Sequence, residues 1–158
     1  MTEFDALIRI LVAAILGAML GLEREITQKP AGLRTHMLVA EGAALFMVGS
    51  ILLSEQVETG EFAVIDPTRI GSTIVTGVGF LGAGMILRSG GRIQGLTTAA
   101  GIWVAAAIGM LVGSGFYIIG IFGTALCLLT LVGLRLIEQR LLRPRVAALL
   151  SEDEEESD

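Results

Sequence analysis

The chain has 158 residues, of which 53% are hydrophobic and 17% charged, with a formal net charge of -5. A soluble domain of this size is ordinarily less than half apolar and about a quarter charged, so this composition excludes a soluble globular fold. The single cysteine, Cys127, lies inside an apolar run and excludes an internal disulfide framework; the acidic balance comes largely from residues 152–158, a solvated tail that offers nothing to nucleic acid.

The start, Met1-Thr2-Glu3-Phe4-Asp5, is acidic where a cleavable signal is basic. The first apolar segment is therefore expected to remain as a membrane anchor. A bilayer core about 30 Å thick takes about 20 mostly apolar residues in a helix. Five segments approach that length. Residues 6–22 are interrupted only by Arg9, residues 37–53 contain one charge, Glu41, and residues 70–87 contain none. Residues 96–116 and 116–134 form one long apolar run, which Gly113-Ser114-Gly115 splits into a helical hairpin. The last three segments are expected to lack the polar face that a soluble helix bundle requires. The expected fold class is an all-α membrane protein with five transmembrane helices.

The connecting segments give an orientation. Arg24, Lys29 and Arg34 lie between the first two spans, and Glu55, Glu58, Glu61 and Asp66 between the second and third. Arg88 and Arg92 precede the fourth span, and Arg135, Arg140, Arg143 and Arg145 follow the fifth. Basic residues favour the cytoplasmic side. The alternation predicts an outside amino terminus and a cytoplasmic carboxyl terminus, with nine of the eleven basic residues inside. Residues 1–135 then make the transmembrane domain. Residues 136–158 make a cytoplasmic basic segment, interrupted by Pro144, and a disordered acidic tail. Nothing after Leu150 is long enough for a second folded domain.

Glycine spacing marks close helix crossings. Gly17-x-x-x-Gly21 and Gly109-x-x-x-Gly113 each put small residues on one helix face. The third span carries Gly77, Gly79, Gly82 and Gly84, which suit packing between helices or subunits. A broken helix at a substrate site is the sharper alternative. The same glycines contain GxGxxG, but a dinucleotide site needs a strand–turn–helix context that a membrane span lacks. Asp66 and Pro67 suit the N-cap and first position of the third helix, with Arg69 following; Asp66 is also placed to meet a cation or Arg9 at the outer surface. Glu23, Arg24 and Glu25 close the first span, and Arg34 and His36 open the second. Antiparallel neighbours would bring these ends together, so carboxylates and guanidinium groups can pair at the membrane surface, as a topology-setting network or as a functional centre. His36 is the sole histidine, and a zinc site needs three or four ligands.

GLERE at 21–25, KPAGLRTHMLV at 29–39, DPTRI at 66–70, GVGFLGAGMILR at 77–88 and GLTTAAGIWVAAAIG at 95–109 resemble the MgtC/SapB family of bacterial membrane proteins. The resemblance covers residues 11–134 in matching order. It implies a multi-pass protein of the bacterial inner membrane, associated with growth in low magnesium and with virulence inside host cells. Some similar proteins are linked to regulation of the ATP synthase, which that resemblance makes a candidate partner beside membrane lipids. Longer members add a soluble carboxyl-terminal domain. Glu41 departs from the pattern, because the resemblance implies a position that is usually apolar in the family. It follows Arg34 by seven residues, about 700° of helical rotation, so the two share a face. An ionisable group at that depth is expected to point inward or toward a subunit interface.

No nucleophile–base pair, metal cluster or phosphate loop in a plausible context is present, and the chain reads as a non-enzyme without a resident cofactor. The expected function is a small regulatory membrane protein, homodimeric through its glycine faces and linked to low-magnesium adaptation. The alternative is a transporter or channel for Mg²⁺ or another small ion. Mg²⁺ prefers carboxylates and retained waters, and few intramembrane carboxylates are available for it.

Overall fold

The computed structural model describes residues 1–57, 67–89 and 91–142. Five α-helices run in order: α1 (Glu3–Ile26), α2 (Leu33–Val57), α3 (Pro67–Gly84), α4 (Leu96–Gly113) and α5 (Tyr117–Ile137). Local chemistry sets several of their ends. Thr2 and Asp5 form a reciprocal capping box on α1. Pro67 opens α3, at the position where a missing N–H costs no hydrogen bond. Ser114, Gly115 and Phe116 separate α4 from α5, with Gly115 at φ +94, so the turn falls where its glycines suggest. A π-helical turn, Glu138–Leu142, carries α5 onward. The expectations around Pro144 and the acidic tail, like that for Asp66, fall outside the described residues.

One element departs from the all-α expectation. Between α3 and α4 a short antiparallel hairpin pairs β1 (Leu87–Ser89) with β2 (Arg92–Gln94), with Ser89 opposite Arg92. The Gly-Gly dipeptide between those two residues is a two-residue hairpin signal, overlooked because residues up to Leu87 read as membrane span.

α4 is the central element, packed against all four other helices. Its axis is lined by alanine and glycine, which let backbones approach. A β-carbon on Gly109 would run into the Ala40 carbonyl, and one on Gly113 would lie 2.9 Å from the Ala44 backbone. On α1, a β-carbon on Gly17 would meet the His36 carbonyl at 2.6 Å, and one on Gly21 would meet Leu33 Cα at 2.6 Å. Both GxxxG faces therefore form close crossings, as small residues allow in membranes. Large apolar side chains point outward instead. On α1 the exposed Phe4, Leu7, Leu11, Ile15, Met19, Leu22 and Ile26 recur every three or four residues, the pattern of a lipid-facing stripe.

The helices run side by side through the same layer. α1 lies antiparallel to α2, and α3 antiparallel to α4, with Gly71 level with Met110 and Gly82 level with Ala99. Among the described residues four helices are long and apolar enough to cross a membrane: Glu3–Ile26, Leu33–Gln56, Leu96–Gly113 and Tyr117–Arg140. α3 falls outside that set, because its 18 residues include Arg69 and the hydroxyls of Ser72, Thr73 and Thr76.

Candidate functional site

The stripe that buries α1 consists of Ala13, Leu16, Gly17, Leu20 and Gly21, and one further turn places Arg24 on the same inward face. Arg24 is only 5% exposed. Its Nη2 reaches Thr98 Oγ1 of α4 at 3.4 Å, and its Nη1 lies 3.6 Å from Glu23 Oε2, within ion-pair range and beyond hydrogen-bond range. Arg24 Nε and Glu23 Oε2 have no hydrogen-bond partner. A buried guanidinium so thinly partnered is costly, which makes it a group to explain.

His36, from the first turn of α2, is 1% exposed. Its Nδ1 lies 3.2 Å from the Gly32 carbonyl, while Nε2 is buried without a partner. Nε2 faces Gly101, where a β-carbon would sit 3.1 Å away. Glu25 takes a structural part: its Oε2 accepts the Leu33 backbone N–H at 2.9 Å, satisfying an orphan donor at the start of α2. The antiparallel ends thus bring Glu23, Arg24, Glu25 and His36 together. Arg34 stands apart, exposed and without an ion pair among the described residues.

Beside Arg24 opens a cleft of about 750 Å³ between α1, α4, α5 and the hairpin. Its polar lining includes Glu23, Lys29, Thr97, Thr98, Arg135 and Glu138. The first turn of α4 borders the cleft, and its N-cap, Gly95, provides no side-chain bond to the helix amides.

The remaining expected residues lie elsewhere. Glu41 is half-buried and makes no hydrogen bond or ion pair among the described residues. Arg69 is exposed, and its carbonyl accepts the Ser72 and Thr73 hydroxyls. Arg9 donates from Nη1 to the Gly113 carbonyl at 3.0 Å. Of the five glycines on α3, Gly71 and Gly82 touch α4: a β-carbon on Gly71 would lie 2.9 Å from Met110 Cε, and one on Gly82 3.7 Å from Ala99. Gly77, Gly79 and Gly84 face open space within the chain, so the close crossings belong to the other two glycine pairs. Among the described residues no three His, Cys, Asp or Glu side chains group as metal ligands would.

Apolar surface both inside and outside, on helices of membrane-spanning length, defines a multi-span membrane protein. The chain belongs to the MgtC family, whose model matches residues 10–140. It is 50% identical over 127 residues to YhiD of Escherichia coli (strain K12), which is provisionally named a magnesium transporter; the match covers 80% of this chain and 59% of that protein. It is 41% identical over 141 residues to Protein MgtC of Salmonella typhimurium (strain LT2), covering 89% of this chain and 57% of that protein. The chain thus spans less than two thirds of the length of these relatives. No solved structure matches it.

Sequence reasoning missed Thr98, Lys29 and Arg135 as neighbours of Arg24. The signal for Arg24 itself was present, since it follows Gly17 by seven residues and Gly21 by three on the packed face. Nothing in the local sequence pairs it with Thr98, which is 74 positions away.

Proposed function

We propose that the chain is a regulatory protein of the bacterial inner membrane that supports growth in low magnesium without conducting the ion. The observation that carries this reading is the packing between the two polar ends of the bundle. Leu16, Leu20, Ala105, Ile108 and Val112 form one buried cluster there. Ile74, Val78, Ile102 and Ala106 belong to a second. A Mg²⁺ ion keeps most of its waters and seeks carboxylates, so such a layer disfavours its passage through a single chain. The provisional name of YhiD favours transport instead. Purified protein in liposomes separates the two: the regulatory reading expects Mg²⁺ flux no greater than in empty vesicles, while the same protein restores growth of a deletion strain in low magnesium. Protein-dependent, saturable Mg²⁺ flux would sink it.

The orientation that fits this reading has five crossings, with the Arg24 end in the cytoplasm. α3 runs the full depth of α4 in the opposite direction, which supports counting it as a crossing despite its polar residues. Reporter fusions after Ser54 are expected to read outside and fusions after Arg92 inside; the reverse result removes the model. Regulation by contact needs a free surface, and the α3 face with Ser72, Thr76, Gly79 and Ala83 is exposed and poorly suited to lipid. A second copy of the chain is the partner that reading expects there. Gly79→Cys in a Cys127→Ser background is expected to cross-link between copies in membranes, and its failure to do so removes α3 as the dimer face.

A further inference from the structure

We propose that the cleft beside Arg24 is a binding site for one anionic phospholipid, with the phosphate held at the start of α4 and an acyl chain laid between α1 and α5. The inference stands on the cleft itself and holds whether the protein regulates or transports.

Three independent features converge on a phosphate. Arg24 is 5% exposed, carries an Nε with no hydrogen bond, and lines the cleft. The amino-terminal turn of α4, with Thr97 and Thr98, borders the same space without a side-chain cap. Free backbone N–H groups and the positive end of the helix dipole make such a turn an anion site when a cation stands beside it. Lys29 and Arg135 add two further cations, against the two acids Glu23 and Glu138 in the same lining. The excess of positive charge selects a net anionic headgroup over a zwitterionic one.

A second groove identifies the rest of the ligand. About 510 Å³ of space runs along α1 and α5, walled by Met19, Leu22, Ile26, Leu128 and Val132. It shares Glu23, Thr27, Arg135 and Gln139 with the polar cleft, so the two spaces adjoin along those side chains. A polar cavity that opens onto an apolar groove at the membrane boundary has the form of a headgroup and its tail. A soluble phosphate would use only the first half.

The test uses full-length protein, delipidated in mild detergent. Phosphatidylglycerol, phosphatidylcholine or inorganic phosphate is then added, with melting temperature and native mass spectrometry as readouts. Phosphatidylglycerol is expected to raise the melting temperature and to bind about tenfold tighter than phosphatidylcholine, and inorganic phosphate to give no shift. Lys29→Gln with Arg135→Gln removes two cleft cations and is expected to lose about tenfold in affinity. Arg88→Gln with Arg92→Gln removes the same charge from exposed hairpin positions outside the cleft lining, and is expected to bind as the parent does. Arg24→Gln is expected to lose the lipid-dependent shift; should that variant not fold, the two double variants still decide the matter. Equal shifts from the two lipids, equal binding by the two double variants, or a phosphate shift matching that of phosphatidylglycerol would each overturn the assignment.

Discussion

Two arginines sit at opposite ends of this bundle; each has a buried Nε without a hydrogen bond, and they differ in how their terminal nitrogens are held. Arg9 donates to the Gly113 carbonyl at 3.0 Å, one of the last-turn carbonyls that a helix end leaves without an internal donor. Its charge also complements the negative end of the α4 dipole. Arg24 stands at the positive end of that helix, its guanidinium makes no hydrogen bond or ion pair shorter than 3.4 Å, and it opens on a cleft. The same side chain thus closes a helix at one end and is kept available at the other. A cation beside a helix amino terminus is electrostatically misplaced unless anions join it, and the one already there, the Glu23 carboxylate at 3.6 Å, makes no hydrogen bond to it. This contrast supports the lipid site more strongly than the charge count does.

Each end also turns on a glycine in the left-handed region, Gly95 at φ +90 and Gly115 at φ +94. They differ in what surrounds them, and the largest expected effect follows from that. A β-carbon on Gly95 would collide with the Met85 backbone carbonyl, which belongs to the turn leading into the hairpin and cannot easily move. A β-carbon on Gly115 would meet only the tip of the flexible Arg9 side chain, at 3.1 Å. Gly95→Ala is expected to cost about 3 kcal/mol or more, combining left-handed strain with overpacking. Gly115→Ala carries only the strain, about 1–2 kcal/mol. Melting temperatures in one detergent rank the two, and an equal loss would mean that the hairpin yields as readily as a side chain.

The middle effect concerns Arg9. Arg9→Met keeps most of the packing and removes the donor to Gly113, and a hydrogen bond to a charged group contributes about 1.5–3 kcal/mol. The loss is expected to be the same with and without added anionic lipid. A lipid-dependent loss would give Arg9 the role assigned here to Arg24.

Much of the fold was legible because membrane helices announce themselves by length and hydropathy. The split of the long apolar run at Gly113-Ser114-Gly115 fell where the α4–α5 turn is. The GxxxG faces at Gly17 and Gly109 also lie where backbones touch. α3 was harder to read: Gly77, Gly79, Gly82 and Gly84 suggested packing between helices or subunits, and three of those four look outward, because glycine spacing reports that a surface is flat and not which neighbour it meets. The site was half legible. Glu23, Arg24, Glu25 and His36 lie at the same end of the bundle, where Glu25 bonds the Leu33 amide, Arg24 pairs with its own neighbour Glu23, and His36 bonds the Gly32 carbonyl. The cleft takes Glu23 and Arg24 from that group, not Glu25 or His36, and is completed by Thr98 and Arg135, which only tertiary packing brings near. Glu41 is half-buried within α2, and no hydrogen bond or ion pair among the described residues explains an acid at that position.

The smallest expected effect is the most informative about Arg24. Arg24→Met alone leaves the Glu23 carboxylate, whose side chain is 10% exposed, without its neighbouring cation, and so carries the cost of an uncompensated buried charge. Glu23→Gln with Arg24→Met removes both charges together. Since the pair meets at 3.6 Å and leaves Arg24 Nε and Glu23 Oε2 without hydrogen bonds, little net attraction is lost with it. In lipid-free detergent the double variant is expected to melt within about 1 kcal/mol of the parent, and above the single variant. Added phosphatidylglycerol is then expected to raise the melting temperature of the parent and leave that of the double variant unchanged. If the double variant is instead as unstable as Arg9→Met without lipid, Arg24 is a structural tie like its counterpart, and the difference between the two ends disappears. If it is stable and still gains from the lipid, the lipid sits elsewhere on the bundle. Stability retained with the lipid response lost is the one outcome in which Arg24 serves a ligand and not the fold.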